Sequence, residues 1–576
     1  MKRSLLFSYV LATAEAVQYC PLLGPVFPPA VNPVTSEAFN IASRNITQTL
    51  DELVQAAANS SASSILDDTN SFTIQIYSAS KTNPLFEYYH TAPLTSNASS
   101  GVHTVDEDTV FRIGSGSKLW TLLLFLIADG EKHFNNPITE YIPELRKAAR
   151  NTAGNTTERN VLVDFTRWED ITVLELASHL AGLGRDYGFL DLSLTAPSLT
   201  KYGFPQLPKS EIPPCGSIAP CNRSQFFEGI TKTHPMAPTS FTPIYSNAAI
   251  QILSYVLEAI SGHTYGSLLS KHILEPLNMT RSYISTPPDQ YGVIPGDATS
   301  SGWNIPAGDE TPAGGLYSST KDMTTLGRAI LNNTLISPAL TRRWMRPVTH
   351  TGSIDSSVGA PWEIYSFQGN GRVIDLYTKA GDFGSYSSST ALSPDHGVGF
   401  TILAAGDDTT SLVAVLSNLI SAQLLPALEQ AAKVEANTTY AGTYESVTAT
   451  SNSSISISID DGPGLRVDKW ISNSVDMFDV VSSSALSGIS NPVIHLNPTG
   501  LRTPSQVSFR AIFVSPSDAG SGTGPFTKSC STWELVDQSN YGNVGLDEFL
   551  FELDPTTGEV KSISPRALRE TLPKTS

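Results

Sequence analysis

The chain is poor in charge. Only 16% of its 576 residues are ionisable Asp, Glu, Lys or Arg, and 36 basic against 54 acidic residues leave a formal net charge of −18. No lysine or arginine run interrupts that balance, so the chain repels a phosphate backbone and nucleic acid is excluded as a partner. No stretch of about 18 uninterrupted apolar residues follows the N-terminus, and no membrane span is expected. The ten histidines form no H-x-x-x-H or H-x-H pattern, and the four cysteines no C-x-x-C. A metal therefore has no evident home, and nothing calls for a cofactor. The chain also lacks G-x-S-x-G, which excludes the nucleophile elbow of an α/β hydrolase.

What is present suffices for a large core: 40% of residues are hydrophobic and 9% aromatic. The length suits two packed units, one of them large. With so few charges the surface must rely on Ser, Thr and Asn, which fits a glycosylated extracellular protein. Lys2 and Arg3 precede an apolar run over residues 5–11 and then Ala12, Ala14 and Ala16. That order reads as a secretory signal over residues 1–16. Asn-x-Ser/Thr acceptors recur from Asn45 to Asn452, so N-linked glycans are expected. Cys215 and Cys221 bracket a loop able to close on itself, a bridge worth roughly 2 kcal/mol by loop entropy. Cys20 and Cys530 are left to pair with each other in an oxidising compartment.

Residues 35–58 carry an apolar stripe at helical spacing, including Ile41, Ile46, Leu50 and Val54. Residues 72–77 and 85–89 read as strands, and an apolar strand over 398–405 precedes a helix over 412–432. Beyond Asn437 the texture changes. Ile455, Ile457 and Ile459 alternate with serines, Asp461-Gly462 supplies a turn, and Val507, Phe509, Ala511 and Phe513 alternate likewise. Residues 437–576 are expected to form a small all-β domain without catalytic residues, following a catalytic domain over 17–436.

The chemistry concentrates in three places. Ser115 opens a helix that is apolar almost all round over residues 119–127, hence buried and rigid, with free backbone N–H groups at its start. Lys118, three residues on, shares its face. A lysine in a partly dry pocket loses its charge more easily and can take the hydroxyl proton. The commonplace reading of Ser-x-x-Lys is a capping serine and a lysine reaching for solvent, so the other two places matter. Tyr245 and Asn247 flank one residue ahead of a helix whose apolar face runs Ala249, Leu253, Val256 and Ile260 to a stop at Gly262. A phenol near lysines can relay a proton, and an amide can orient a carbonyl. Residues 375–381 read as a strand ending in Lys379-Ala380-Gly381, where glycine admits a substrate against the backbone and lysine stands as a fixed cation.

In this order, Ser115-x-x-Lys118, Tyr245-x-Asn247 and Lys379-x-Gly381 resemble the motif set of the serine β-lactamases and penicillin-recognising peptidases, closest to class C. Three connecting stretches look similar: Leu176 to Leu183 around His179, Glu275-Pro276-Leu277-Asn278-Met279-Thr280, and Pro312-Ala313-Gly314-Gly315-Leu316. The resemblance covers residues 70–430. It implies an α+β fold, a helical domain against an antiparallel sheet flanked by helices, with the all-β domain appended. It further implies that Ser115 is acylated, that Lys118 and Tyr245 manage the proton, and that Asn247 positions the acyl group. Lys379 would stand at the cleft edge, and the N–H groups of Ser115 and of Asp382, after Gly381, would form an oxyanion hole. Ala380 replaces a customary hydroxyl residue, removing one hydrogen bond to a substrate carboxylate. Asp382 brings a negative side chain that either repels anionic substrates or pairs with Lys379. His179 is read as structural. The Pro-rich, aromatic segment between His179 and Tyr245 is expected to overhang the cleft and set specificity. The function implied is a secreted serine hydrolase of a small-molecule ester, lactone or amide. An acyltransferase on the same scaffold and a catalytically silent binding module are the alternatives, and five intact side chains argue against the latter.

Overall fold

The computed structural model describes residues 21–58, 65–154, 161–195, 199–216, 219–369, 371–446, 452–483, 489–515 and 530–576. The expected signal over 1–16 and Cys20 lie outside them. The chain divides into two compact units. The larger holds Ile41–Phe367 and Asp375–Leu424; the smaller gathers the chain up to Asn40, Gln368–Ile374 and Leu425–Ser576.

The helix expected over 35–58 is α1 (Glu37–Ala58), entered through a 3₁₀ turn at Pro33–Thr35. The larger unit is built on β1 (Ser71–Ser78) and β2 (Phe86–His90), a small pair β3 (Val110–Arg112) and β4 (Tyr317–Ser319), and then β5 (Thr349–His350), β6 (Ser356–Val358), β7 (Glu363–Gly369), β8 (Arg372–Phe383), β9 (Tyr386–Ser393) and β10 (Val398–Ala405). Eight of these form one antiparallel sheet in the order β2-β1-β10-β9-β8-β7-β6-β5. Its centre is buried on both faces: every residue of β1, β9 and β10 is inaccessible. Such strands need cover on both sides. The helix Thr320–Leu331 covers one face, its Thr320 hydroxyl bonded to Thr73 of β1 at 2.5 Å. On the opposite face lies the start of a long helix, Thr409–Tyr440, with Leu412, Leu416 and Ile420 fully buried at i, i+4 spacing and Ser417 bonded to Ser389 of β9. This helix outruns the expected 412–432 at both ends. By length and composition it is apolar enough to cross a membrane, but half of its most apolar stretch is buried within the protein.

In the smaller unit the alternating sequence beyond residue 437 forms β11 (Gly442–Glu445), β12 (Ser454–Ser458), β13 (Leu465–Ser472), a further strand Val475–Asp476 and a run of strands to Leu572–Pro573. Together they make a nine-stranded sheet that is mostly a meander in chain order, Val475–Asp476 pairing beside β13. Two short helices, Met477–Ser482 and Thr532–Leu535, interrupt it. Tyr444, Ile455, Trp470, Phe509 and Phe551 fill its core, and Val26 and Phe27 from the N-terminal stretch join them. Gln368–Ile374, the end of β7 and the start of β8, count with this unit; its Arg372 is buried, with its guanidinium 2.6 Å from Glu429 and donating to the Gly24 carbonyl at 3.0 Å.

Candidate active site

β3 runs into a 3₁₀ turn, Gly114–Gly116, and then into the helix Ser117–Ile127. Across residues 109–126 Ser115 is the one residue that is not buried. The hydroxyl is thus presented to solvent from a base that is otherwise all core. Lys118 is fully buried. Its Nζ lies 2.9 Å from Ser115 Oγ, 2.6 Å from Asn247 Oδ1 and 2.5 Å from the Ala313 carbonyl. Burial lowers its pKa to about 8, Lys379 pushing the same way while Tyr245 opposes. Once the amine is neutral, the two fixed carbonyl oxygens hold its two hydrogens, and the lone pair is left for the hydroxyls of Ser115 and Tyr245.

Tyr245 stacks on His179 with ring centroids 4.5 Å apart. Lys118 Nζ stands 4.9 Å and Lys379 Nζ 5.2 Å from its ring centre. Burial alone would raise the phenol pKa, but the charges of Lys379 and Lys118, with hydrogen bonds to Lys118 and Ser115, hold it below the usual value. His179 has φ of 61° and its Nδ1 accepts the Ser246 N–H at 3.2 Å. Burial, and then the neighbouring cations, keep the ring neutral, so it serves as a platform, in line with the structural reading. Ser246 caps the helix Asn247–Ser261: its Oγ accepts from Ala249 N and donates to the Gly184 carbonyl. Asn247, first residue of that helix, is fixed at both ends of its amide, Oδ1 on Lys118 and Nδ2 on Asp186 Oδ1 at 2.8 Å.

β8 does not end at Gly381 but continues to Phe383. Alternation turns Lys379 and Gly381 toward the Ser115 turn and Ala380 and Asp382 to the other face. A Cβ on Gly381 would fall 2.2 Å from the Ile113 carbonyl and 2.5 Å from Ser115 N, and one on Gly114 2.4 Å from Asp382 N. Only glycines let these backbones meet, which brings Ser115 N and Asp382 N close together. The Asp382 carboxylate does not pair with Lys379. It accepts from Ser387 Oγ at 2.6 Å and Thr410 Oγ1 at 2.7 Å on the far face, away from Lys379. Lys379 is fixed as expected, but its charge is answered inside the protein. It is 1% exposed, 2.5 Å from Glu363 Oε1 and 2.8 Å from the Ala380 carbonyl, while Glu363 Oε2 accepts the Ala380 N–H at 3.0 Å. Burial opposes its charge, but Glu363 and Tyr245 hold its pKa above the ordinary value.

A cleft of about 110 Å³ opens over Ser115 and Asn247. Tyr187, Phe189, Cys221 and Phe226 line it, so the segment between His179 and Tyr245 forms a wall. Cys215 and Cys221 are disulfide-bonded, as is Cys530. Three acidic residues were not signalled by sequence spacing: Asp186, Glu310 and Glu363. Glu310 lines the cleft without a hydrogen bond or ion pair to its carboxylate among the described residues, and burial, then the Asp186 charge, raises its pKa to about 7. No group of three or more His, Cys, Asp or Glu among the described residues is placed to hold a metal ion.

The family model described as Beta-lactamase matches residues 86–424, and one described as Beta-lactamase-like-like, C-terminal domain, matches 432–576. A beta-lactamase-like protein of Arthroderma benhamiae is 28% identical over 98% of this chain and 98% of its own. A probable hydrolase of a Phoma species is 26% identical over 92% of this chain and 88% of its own. Among solved structures, a class C beta-lactamase is 18% identical, covering 66% of this chain and 97% of that one with a TM-score of 0.46.

Proposed function

The chain belongs to the beta-lactamase family, and from that premise we propose a secreted serine hydrolase that cleaves a small ester, lactone or amide through an acyl-serine at Ser115. The observation carrying this reading is an accessible hydroxyl 2.9 Å from a buried amine whose pKa has fallen to about 8. Ser115 Oγ adds to the carbonyl carbon as its proton passes to Lys118. The oxyanion is held by the N–H groups of Ser115 and Asp382, each worth on the order of a hundred- to a thousandfold in rate. Tyr245 relays the proton to the departing alcohol or amine as the C–O or C–N bond breaks. Water then adds to the acyl carbon, returns a proton to the same groups and releases the acid. Asn247 orients the acyl portion. Secretion is supported by the order of residues 1–16 and by the exposure of Asn45, Asn97, Asn437 and Asn452 for glycans.

Intact-mass spectrometry after incubation with neutral activated esters tests the proposal. It expects an acyl adduct that is absent from Ser115→Ala. No adduct with any carbonyl probe, or one that persists in Ser115→Ala, overturns it. A mass loss on treatment with a peptide N-glycosidase tests the glycans.

A further inference from the structure

We propose that Glu363 determines specificity beside the Ser115 site: its carboxylate fills the anion seat made by Lys379, whose Nζ is 5.2 Å from the Tyr245 ring centre, and by the Ala380 N–H, so substrates bearing a carboxylate there are refused and uncharged ones accepted. The inference rests on the hydrolase reading above. The sequence offered Lys379 as a fixed cation at the cleft edge and Asp382 as its candidate partner; the partner is Glu363 instead. All three ammonium protons of Lys379 are spoken for, by Glu363 at 2.5 Å, by the Ala380 carbonyl at 2.8 Å and by the Tyr245 hydroxyl. Glu363 Oε2 takes the neighbouring Ala380 N–H, the donor a strand edge would offer to a bound anion. Ala380 itself has no hydroxyl to add.

The surroundings agree. Among the described residues, no lysine or arginine lines the cleft over Ser115, whereas Glu310 and Asp382 do. On the other face of β8 a second cavity of about 250 Å³, bordered by Glu363, Ala380, Asp382 and Thr410, is likewise without a lining cation. Arg185, which lines neither cavity, is 3.8 Å from Asp186 Oδ2 and 4.9 Å from the Tyr245 ring centre. A substrate carboxylate entering beside Glu363 would meet a like charge.

The test is a matched pair of aryl esters, 3-(phenylacetoxy)benzoate and its methyl ester, which differ only in the charge of the leaving group. With the full chain, kcat/KM should favour the methyl ester by about a hundredfold. In Glu363→Gln and Glu363→Ala that ratio should shrink at least tenfold, the gain falling on the carboxylate member. Equal rates in the unsubstituted protein, or a preference for the carboxylate, overturn the proposal whether or not the variants fold. So does an unchanged ratio in variants that keep their melting temperature. If neither ester leaves an adduct on Ser115, the hydrolase reading falls and this inference with it.

Discussion

A lysine whose hydrogens are claimed by Asn247 Oδ1 and the Ala313 carbonyl has its lone pair left for the hydroxyls of Ser115 and Tyr245. Below its pKa of about 8 that pair carries a proton and cannot accept another. Acylation by a neutral ester should therefore rise about tenfold per pH unit from pH 6 and level off near pH 8. Because Tyr245 and Lys379 titrate in the same network, the midpoint belongs to the group. Stopped-flow rates across pH check this, and a flat profile would remove Lys118 as the base. Lys118→Arg, which stays charged at every accessible pH, should cost on the order of a thousandfold or more. Glu310 behaves in the opposite sense. Its folded pKa of about 7 lies above the 4.5 of an unperturbed glutamate. Between those values the folded protein keeps a proton that the unfolded chain has released. Its stabilising contribution is complete below pH 4.5 and lost as pH climbs through 7. Glu310→Gln should flatten the decline of melting temperature between pH 5 and 8, and thermal scans with an unaltered slope would refute the assignment.

Single elements set where these side chains can be. The Ser115 turn touches β8 only because Gly381 has no Cβ, so Gly381→Ala must move one backbone or the other. We expect the variant to lose most of its acylation rate, and a near-normal rate would mean that the turn can yield. Ser246→Ala removes the cap of the helix that starts with Asn247 and should cost about 1 kcal/mol by denaturant titration. At this scale the sequence is legible where chemistry sits at a readable place in an element: Ser115 before its helix, Asn247 at the head of another, Lys379 within a strand. The placing of the Asp382 side chain on the far face was missed, because the strand was read as ending at Gly381 and in fact continues to Phe383. Glu363 and Asp186 were not legible. They meet Lys379 and Asn247 through pairing of β7 with β8 and through the fold of a long irregular segment, neither of which has a spacing rule. The long helix starts three residues before its expected beginning, at Thr409 directly after Asp408, and runs on through Pro426 to Tyr440.

Across the whole molecule the change of texture after residue 437 announced a second unit but not all of its parts. Val26 and Phe27 lie in a Pro-rich stretch without periodicity, and nothing local says that they belong with Trp470 and Phe509. Phe27→Ala should cost about 3–5 kcal/mol in that unit, as large-to-small changes in cores do. Glu429→Gln, which strands the buried Arg372 charge, should destabilise it by about 3–5 kcal/mol. Calorimetry reads both, and a loss under 1 kcal/mol in either would deny that segment its part in the core. The smaller unit is stitched from the beginning, the middle and the end of the chain. A ribosome therefore delivers Phe27 first and its packing mates last, so that phenylalanine must wait uncovered through most of translation. A premature stop would wound both extremities at once, the missing end and the orphaned beginning.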